Sequence, residues 1–173
     1  NAGFPFRPPI ASSSPSALLK SVKNASGHNL SLQGRNIPIW ITLSTLAVFI
    51  TSAAMAERSM GRQLWGSGGT PGLWSGSIWS EHNSQYLTDP YTFTHVSHGI
   101  LLCAILTLAF RRYPTNLRLM MAAGLECAWE VLENSAFIIN RYRAETISLN
   151  YFGDSIVNSM ADIFACIGGF WLA

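Results

Sequence analysis

The sequence predicts an all-α fold: an integral membrane four-helix bundle with an extended basic N-terminal tail. Three observations carry this. The 173-residue chain is 49% hydrophobic and 12% charged, where a soluble domain averages about 25% charged residues. Four apolar segments, at 37–56, 91–110, 117–139 and 151–173, alternate with polar connections, each near the ~20 residues that cross a ~30 Å hydrocarbon core. Three of these segments gather their ionisable groups on one helical face.

Residues 1–36 form the tail. They are rich in Ser, Pro and Asn, carry Arg7, Lys20, Lys23 and Arg35, and precede the first acidic residue, Glu57. A basic, acid-free, Ser-rich start is the compositional mark of an organellar transit region or its remnant, with a solvated tail as the plainer alternative. His28 belongs to this solvated part, and the sequons at Asn24 and Asn29 matter only on a secretory luminal face. The chain starts at Asn1 without methionine and stops in the apolar run Trp171-Leu172-Ala173, which points to a piece of a longer precursor. A net charge of only +2 argues against a general nucleic-acid binder. Cys103, Cys127 and Cys166 stand singly in apolar segments, as small buried residues rather than a disulfide framework.

The segment 37–56 has no charge. Pro38 is tolerated in a first turn, and Trp40 suits an interfacial anchor. This segment packs and anchors. Residues 57–90 are rich in Gly and carry Trp65, Trp74 and Trp79, which suggests a loop on the membrane surface with indoles at headgroup level. His82 reads as an ordinary loop residue. The segment 91–110 ends at Arg111-Arg112, and 117–139 lies between Arg118 and Arg141-Tyr142-Arg143. In the segment 151–173, Ala161, Ala165 and Gly169 step by four, which allows close helix approach.

Basic residues set orientation. Arg7, Lys20, Lys23, Arg35, Arg111, Arg112 and Arg118 fall on one side, against Arg58, Arg62, Arg141 and Arg143 on the other. The N-terminus therefore faces inward. With that topology His95 and His98, then Glu126, Glu130 and Glu133, then Asp154, Asn158 and Asp162 occupy overlapping depths in the outer half of the bundle. Charge facing lipid is expensive, so the three stripes should face one another, with Asn134 beside them.

Five carboxylates cannot all stay ionised in a low-dielectric bundle; they must be protonated, paired or metal-bound. Three readings follow. One is an interhelical hydrogen-bond network, locked by Arg141 or Arg143 folding back as charge partners. Another is a divalent metal site, since helical bundles assemble carboxylate and imidazole ligands in this way. The last is an acid–base set acting on protons or on lipid headgroups, with Glu130, Glu133 and Asp154 as the candidate catalytic groups. No GxSxG, P-loop or HExxH accompanies them. Trp129, within the acidic stripe, reads as packing. Candidate ligands are a bound lipid and a divalent metal ion.

The ordered run Ile78-Trp79-Ser80, His82 to Gln85, Asp89-Pro90-Tyr91, Thr94-His95 and His98-Gly99 resembles a family of small alphaproteobacterial membrane proteins of unknown function. So do Glu126, Trp129-Glu130, Glu133-Asn134, Arg141-Tyr142-Arg143, Thr146 to Leu149, Tyr151, Gly153-Asp154-Ser155, Asn158-Ser159 and Asp162. The resemblance covers roughly residues 57–173; more remotely the pattern is similar to VanZ-like membrane proteins. It implies a four-helix membrane fold and names no activity. Joined to the basic tail, it implies a eukaryotic organellar member. The expected home is the mitochondrial inner membrane, or else a plastid thylakoid, with the N-terminus on the matrix or stroma side. The expected function is that of an accessory subunit of a large respiratory complex, or of a photosynthetic one in a plastid, among lipids and other subunits. The alternative is a stand-alone intramembrane enzyme or transporter.

Overall fold

The computed structural model describes residues 37–66, 69–145 and 151–173. The basic tail, with its sequons and His28, and the motif Thr146 to Leu149 lie outside the described residues. Among the described residues the regular secondary structure is helical, apart from one isolated bridge, Trp74 to Thr88. The helices are α1 (Ile39–Ser59), α2 (Thr92–Ala109), α3 (Thr115–Glu133), α4 (Ala136–Glu145) and α5 (Ile156–Leu172).

By length and composition, α1 and α2 can cross a membrane, and α5 is a shorter apolar helix. A belt of large apolar side chains faces outward, including Leu43 and Val48 on α1, Ile105 and Leu108 on α2, Leu132 on α3 and Phe164 on α5. The bundle centres on α3 and α5, which touch each other; α1 packs mainly on α3, and α2 mainly on α5. Asn116 at the start of α3 donates to the carbonyl of Ile37 at 3.0 Å, so α1 and α3 begin at the same end. The short turn 110–114 shares that end, and both long connections lie at the other.

The tightest contact joins α2 and α5. Gly99 lies against the backbone of Cys166 and Phe170, and Gly169 against that of Val96. A Cβ at either position would overlap main chain, so glycine on both helices sets their separation. Of the small residues read from sequence on the last segment, Gly169 makes this approach, with Gly99 as its counterpart.

Local chemistry explains where the helices stop. α1 runs past the expected end at residue 56 and takes Glu57 inside. It closes when Gly61 turns with φ 85° and the Arg62 N–H caps the Glu57 carbonyl at 3.0 Å. The third segment does not continue to residue 139. Asn134 ends α3 because its side chain donates back to the Glu130 carbonyl and reaches across to Asp154 and Ser159; Ser135 then starts the separate α4. The fourth segment begins later than expected. Residues 151–155 are extended, Gly153 takes φ 91°, and the Ser155 hydroxyl caps α5 by accepting from the Asn158 N–H.

The long connections knit into one cover over this end. The Ile156 and Val157 N–H groups, which open α5, donate to the carbonyls of Gln63 and Leu64 at 2.9 and 3.2 Å. Ser155 donates to Ser84, and Gln85 to the Gly153 carbonyl. Asp89 accepts from the N–H groups of Ser84 and Tyr91, each at 2.7 Å, and so fixes the entry into α2.

Candidate functional site

Beneath this cover α2, α3 and α5 present their polar stripes to one another. His95, buried on α2, donates from Nδ1 to Glu126 Oε1 at 2.6 Å. The same nitrogen lies 3.2 Å from Glu130 Oε1, and Nε2 lies 3.8 Å from Asp162 Oδ2. One turn on, the half-buried His98 reaches the same Glu126 oxygen at 3.2 Å. Its ring meets those of His95 and Trp129 edge-on. Glu126, Glu130 and Asp162 are 2%, 1% and 4% exposed.

A second network sits beside the first. The Asn134 amide donates to Asp154 Oδ2 at 3.0 Å and to Ser159 Oγ at 3.1 Å. Its carbonyl accepts from the Asp154 N–H at 2.7 Å. Tyr151 donates its hydroxyl to Asp154 Oδ2 at 3.0 Å. Burial pushes the Asp154 carboxyl above the ordinary aspartate range, against the hydrogen bonds that favour its ionised form. Burial and the nearby Asp154 push the Tyr151 phenol up as well. Asn158 holds the cover down by donating to the Tyr86 carbonyl at 3.0 Å.

The residues singled out from sequence thus divide. His95, His98, Glu126, Glu130 and Asp162 form one cluster. Asn134 and Asp154 form the second, and Asn158 serves the cover. Glu133 is half-buried beside Trp129 and Tyr142 and lines the cleft described below.

The structure corrects the expected charge partners. Arg141 pairs with Glu145 at 3.1 Å, both side chains 59% exposed, and Arg143 lies over the Phe152 ring. Neither joins the polar centre, because α4 turns them outward. Arg62 comes in instead, donating to the Phe152 carbonyl. Glu57, which the sequence reading left outside the first span, is fully buried near Asp154, Ser159 and Arg62. It follows the buried Ala53 by four residues on the same helical face, a relation that the fold shows and the sequence does not.

The indoles are distributed unevenly. Trp40 is exposed at the opposite end of the bundle, and Trp65 is half-buried. Trp74 meets Phe93 edge-on, and Trp79 is 71% exposed. His82 stacks on Tyr86 at 4.5 Å.

An open cleft of about 1330 Å³ connects the cover to the cluster. Its walls include Trp79, Tyr91, Trp129, Tyr142 and Phe152, and its floor includes His95, His98, Glu133, Asp154 and Asp162. Arg62 is the one arginine or lysine among its described lining residues. The arrangement can hold a polar or cationic group against aromatic walls, and an imidazole–carboxylate pair at the floor can take or give a proton.

Residues 58–173 match the family described as Protein of unknown function (DUF2585). The chain belongs to this family. Among curated proteins it is similar to a UPF0314 protein of Brucella anthropi, 52% identical over 61% of this chain and 53% of that protein. The chain thus spans about half the length of that relative. It is also 43% identical to UPF0314 proteins of Rhizobium meliloti and Paracoccus denitrificans, in each case over 80% of this chain and 70% of the relative. These relatives are alphaproteobacterial, as the motif resemblance implied. They offer no counterpart for an organellar home, and none is VanZ-like by description. No solved structure matches the chain at a significant level.

Proposed function

We propose that this chain is an integral membrane protein in which α1, α2, α3 and α5 form a four-helix bundle, and that its cleft binds a polar, cation-bearing ligand at the membrane surface. The headgroup of an aminophospholipid and a free cation share the required chemistry. The observation that carries the reading is the cleft itself. It descends between aromatic walls from the cover to the buried His95–Glu126 pair, 2.6 Å apart, at one end of an apolar bundle. Acidic floor and aromatic walls favour positive charge, and intramembrane ionisable groups are functional by default. Native mass spectrometry of the protein released from detergent tests it. Bound aminophospholipid, displaced when Asp162→Asn and Trp129→Ala alter floor and wall, is the expected result; a protein that binds neither aminophospholipid nor cation overturns it.

A second reading is favoured by the tail. A basic stretch precedes the family match, which starts at residue 58, and such a stretch suits an organellar import signal. On this reading the protein is an accessory subunit of a mitochondrial respiratory complex, or of a plastid one. Its size in mild detergent decides: migration far above 18.9 kDa with a fixed set of partners favours the subunit, and migration as a monomer removes it.

A further inference from the structure

At and beside the floor of the cleft, buried carboxylate oxygens stand without hydrogen-bond donors. Neither Glu130 Oε1 nor Oε2 makes a hydrogen bond, and Asp162 Oδ1 makes none. Both residues are more than nine-tenths buried. An unpaired buried carboxylate is strongly unfavourable. Protonating Glu130, with His95 Nδ1 at 3.2 Å from its Oε1, still leaves Oε2 and Asp162 Oδ1 without a partner. Among the described residues the positive partners are few: His95 is shared by Glu126, Glu130 and Asp162, and Arg62 is turned toward Phe152.

We infer that His95, Glu130 and Asp162 bind a divalent first-row metal ion between α2, α3 and α5. This names the ligand of the cleft proposed above and rests on that reading. Each of the three residues offers one donor atom, and these lie within 4.8 Å of one another, so a modest inward shift of the side chains brings all three to the ~2.0–2.2 Å at which one ion is bound. One imidazole and two carboxylates suit Zn²⁺, Mn²⁺ or Fe²⁺. Glu126 supplies the outer partner that metal-bound imidazoles carry: its Oε1 lies 2.6 Å from His95 Nδ1, and in the tautomer that donates this hydrogen bond Nε2 is free on the Asp162 side. Glu126 is therefore a positioning residue. His98, on the cleft side of Glu126 and half-exposed, marks the path by which the ion enters. The two positive charges of the ion offset two carboxylates, and one oxygen each of Glu130 and Asp162 gains a partner.

The test is metal analysis of the full chain in detergent, stripped with chelator and reloaded with Zn²⁺ or Mn²⁺ alone. The expected result is one ion per chain. Glu130→Gln and Asp162→Asn, made separately, should each lower affinity at least 10-fold, and Glu126→Gln should lower it by about 10–100-fold. Visible absorption of the Co²⁺-loaded wild type needs no variant, and its ligand-field bands should appear with one equivalent. Sub-stoichiometric metal in the wild type, or His95→Ala binding as tightly as wild type, overturns the site. Native mass spectrometry of the same samples separates the two proposals. Zinc bound without phospholipid supports the metal and removes the headgroup as ligand; phospholipid bound by a protein that takes up no metal overturns the metal and leaves the cleft as a headgroup site.

Discussion

The two ends of the bundle are built from the same helices and held by different physics. Toward the short turn, Leu106, Leu119, Ala122 and Phe170 form an apolar cluster, with Leu46 and Leu102 packed against it. At the covered end those same helices contribute His95, Glu126, Glu130, Asn158 and Asp162. Apolar packing is non-directional and tolerates re-sorting of similar volumes. The covered end is instead tied by directional hydrogen bonds from the two long connections, and these fix where each donor and acceptor points. The stabilising end tolerates change in identity, and the end that holds the cleft tolerates little change in position.

The contact shared by both ends gives the largest expected effect. Gly99 faces the main chain of Cys166 and Phe170, which cannot yield as a side chain can. Gly99→Val should cost about 3 kcal/mol or more, at the upper end of overpacking, and lower the midpoint of thermal melting in detergent sharply. Gly168→Ala is the control, because a Cβ there meets open space. Its melting should be unchanged or raised, by up to about 1 kcal/mol. Equal losses in the two variants would mean that helix separation is not set by Gly99.

Next come single residues that report on one end each. Leu106→Ala removes packing from the apolar end, at about 2–5 kcal/mol. Asn134→Ala strips partners from the buried Asp154 and Ser159 and should cost about 2–3 kcal/mol. The two differ in kind. Asn134→Ala should expose His95 to diethyl pyrocarbonate, whereas Leu106→Ala should leave its modification rate as in wild type. Equal rates in both variants would show that the two ends respond as one.

A pH response is expected from the covered end, where Asp154 lies. The Asp154 carboxyl is held above the ordinary aspartate range, chiefly by burial. The folded state therefore holds this proton more tightly than the unfolded chain. Stability from this group is full below the ordinary range, about pH 4, and is lost as pH rises through the raised value. Asp154→Asn should flatten that part of the profile while keeping an acceptor for Tyr151 and Asn134. Thermal melts across this range check it, and an unchanged slope in the variant would remove Asp154 as its source.

Much of this was legible in the chain. The i,i+3 spacing of His95 and His98, and the four-residue steps of Glu126, Glu130 and of Asn158, Asp162, placed each set on a stripe, whereas Asp154, read onto the last of these, lies in the extended stretch before α5. Alternating chain direction brought the stripes to one depth. The break at Asn134 was not legible, because Glu133-Asn134-Ser135-Ala136 continues a helical pattern and only the bonds to Asp154 and Ser159 stop it. Residues 151–155 share the composition of a span start, yet their backbone serves Gln85 and Ser84 instead. Glu57 was hidden because it stands beside Arg58, where a span is expected to give way to solvent. Which arginine enters the polar centre depends on the paths of two long loops, and neither periodicity nor composition encodes those.

That last point yields the smallest expected effect. From sequence, Arg141 was a natural partner for the buried acids, two turns beyond Glu133. In the fold it lies on the outward side of α4 and pairs with Glu145 four residues on, with both side chains mostly in water. Such a pair contributes ~0–1 kcal/mol, less once salt screens it. Arg141→Ala should therefore leave melting, metal content and the pH profile within error of wild type. Arg62→Ala should be felt, because it removes the donor to the Phe152 carbonyl and a cation near Glu57, at about 1–3 kcal/mol for a charged hydrogen bond. A larger loss in Arg141→Ala than in Arg62→Ala would reverse this assignment and bring α4 back over the cleft. The expected order instead assigns the arginine that faces the buried acids to the loop after α1.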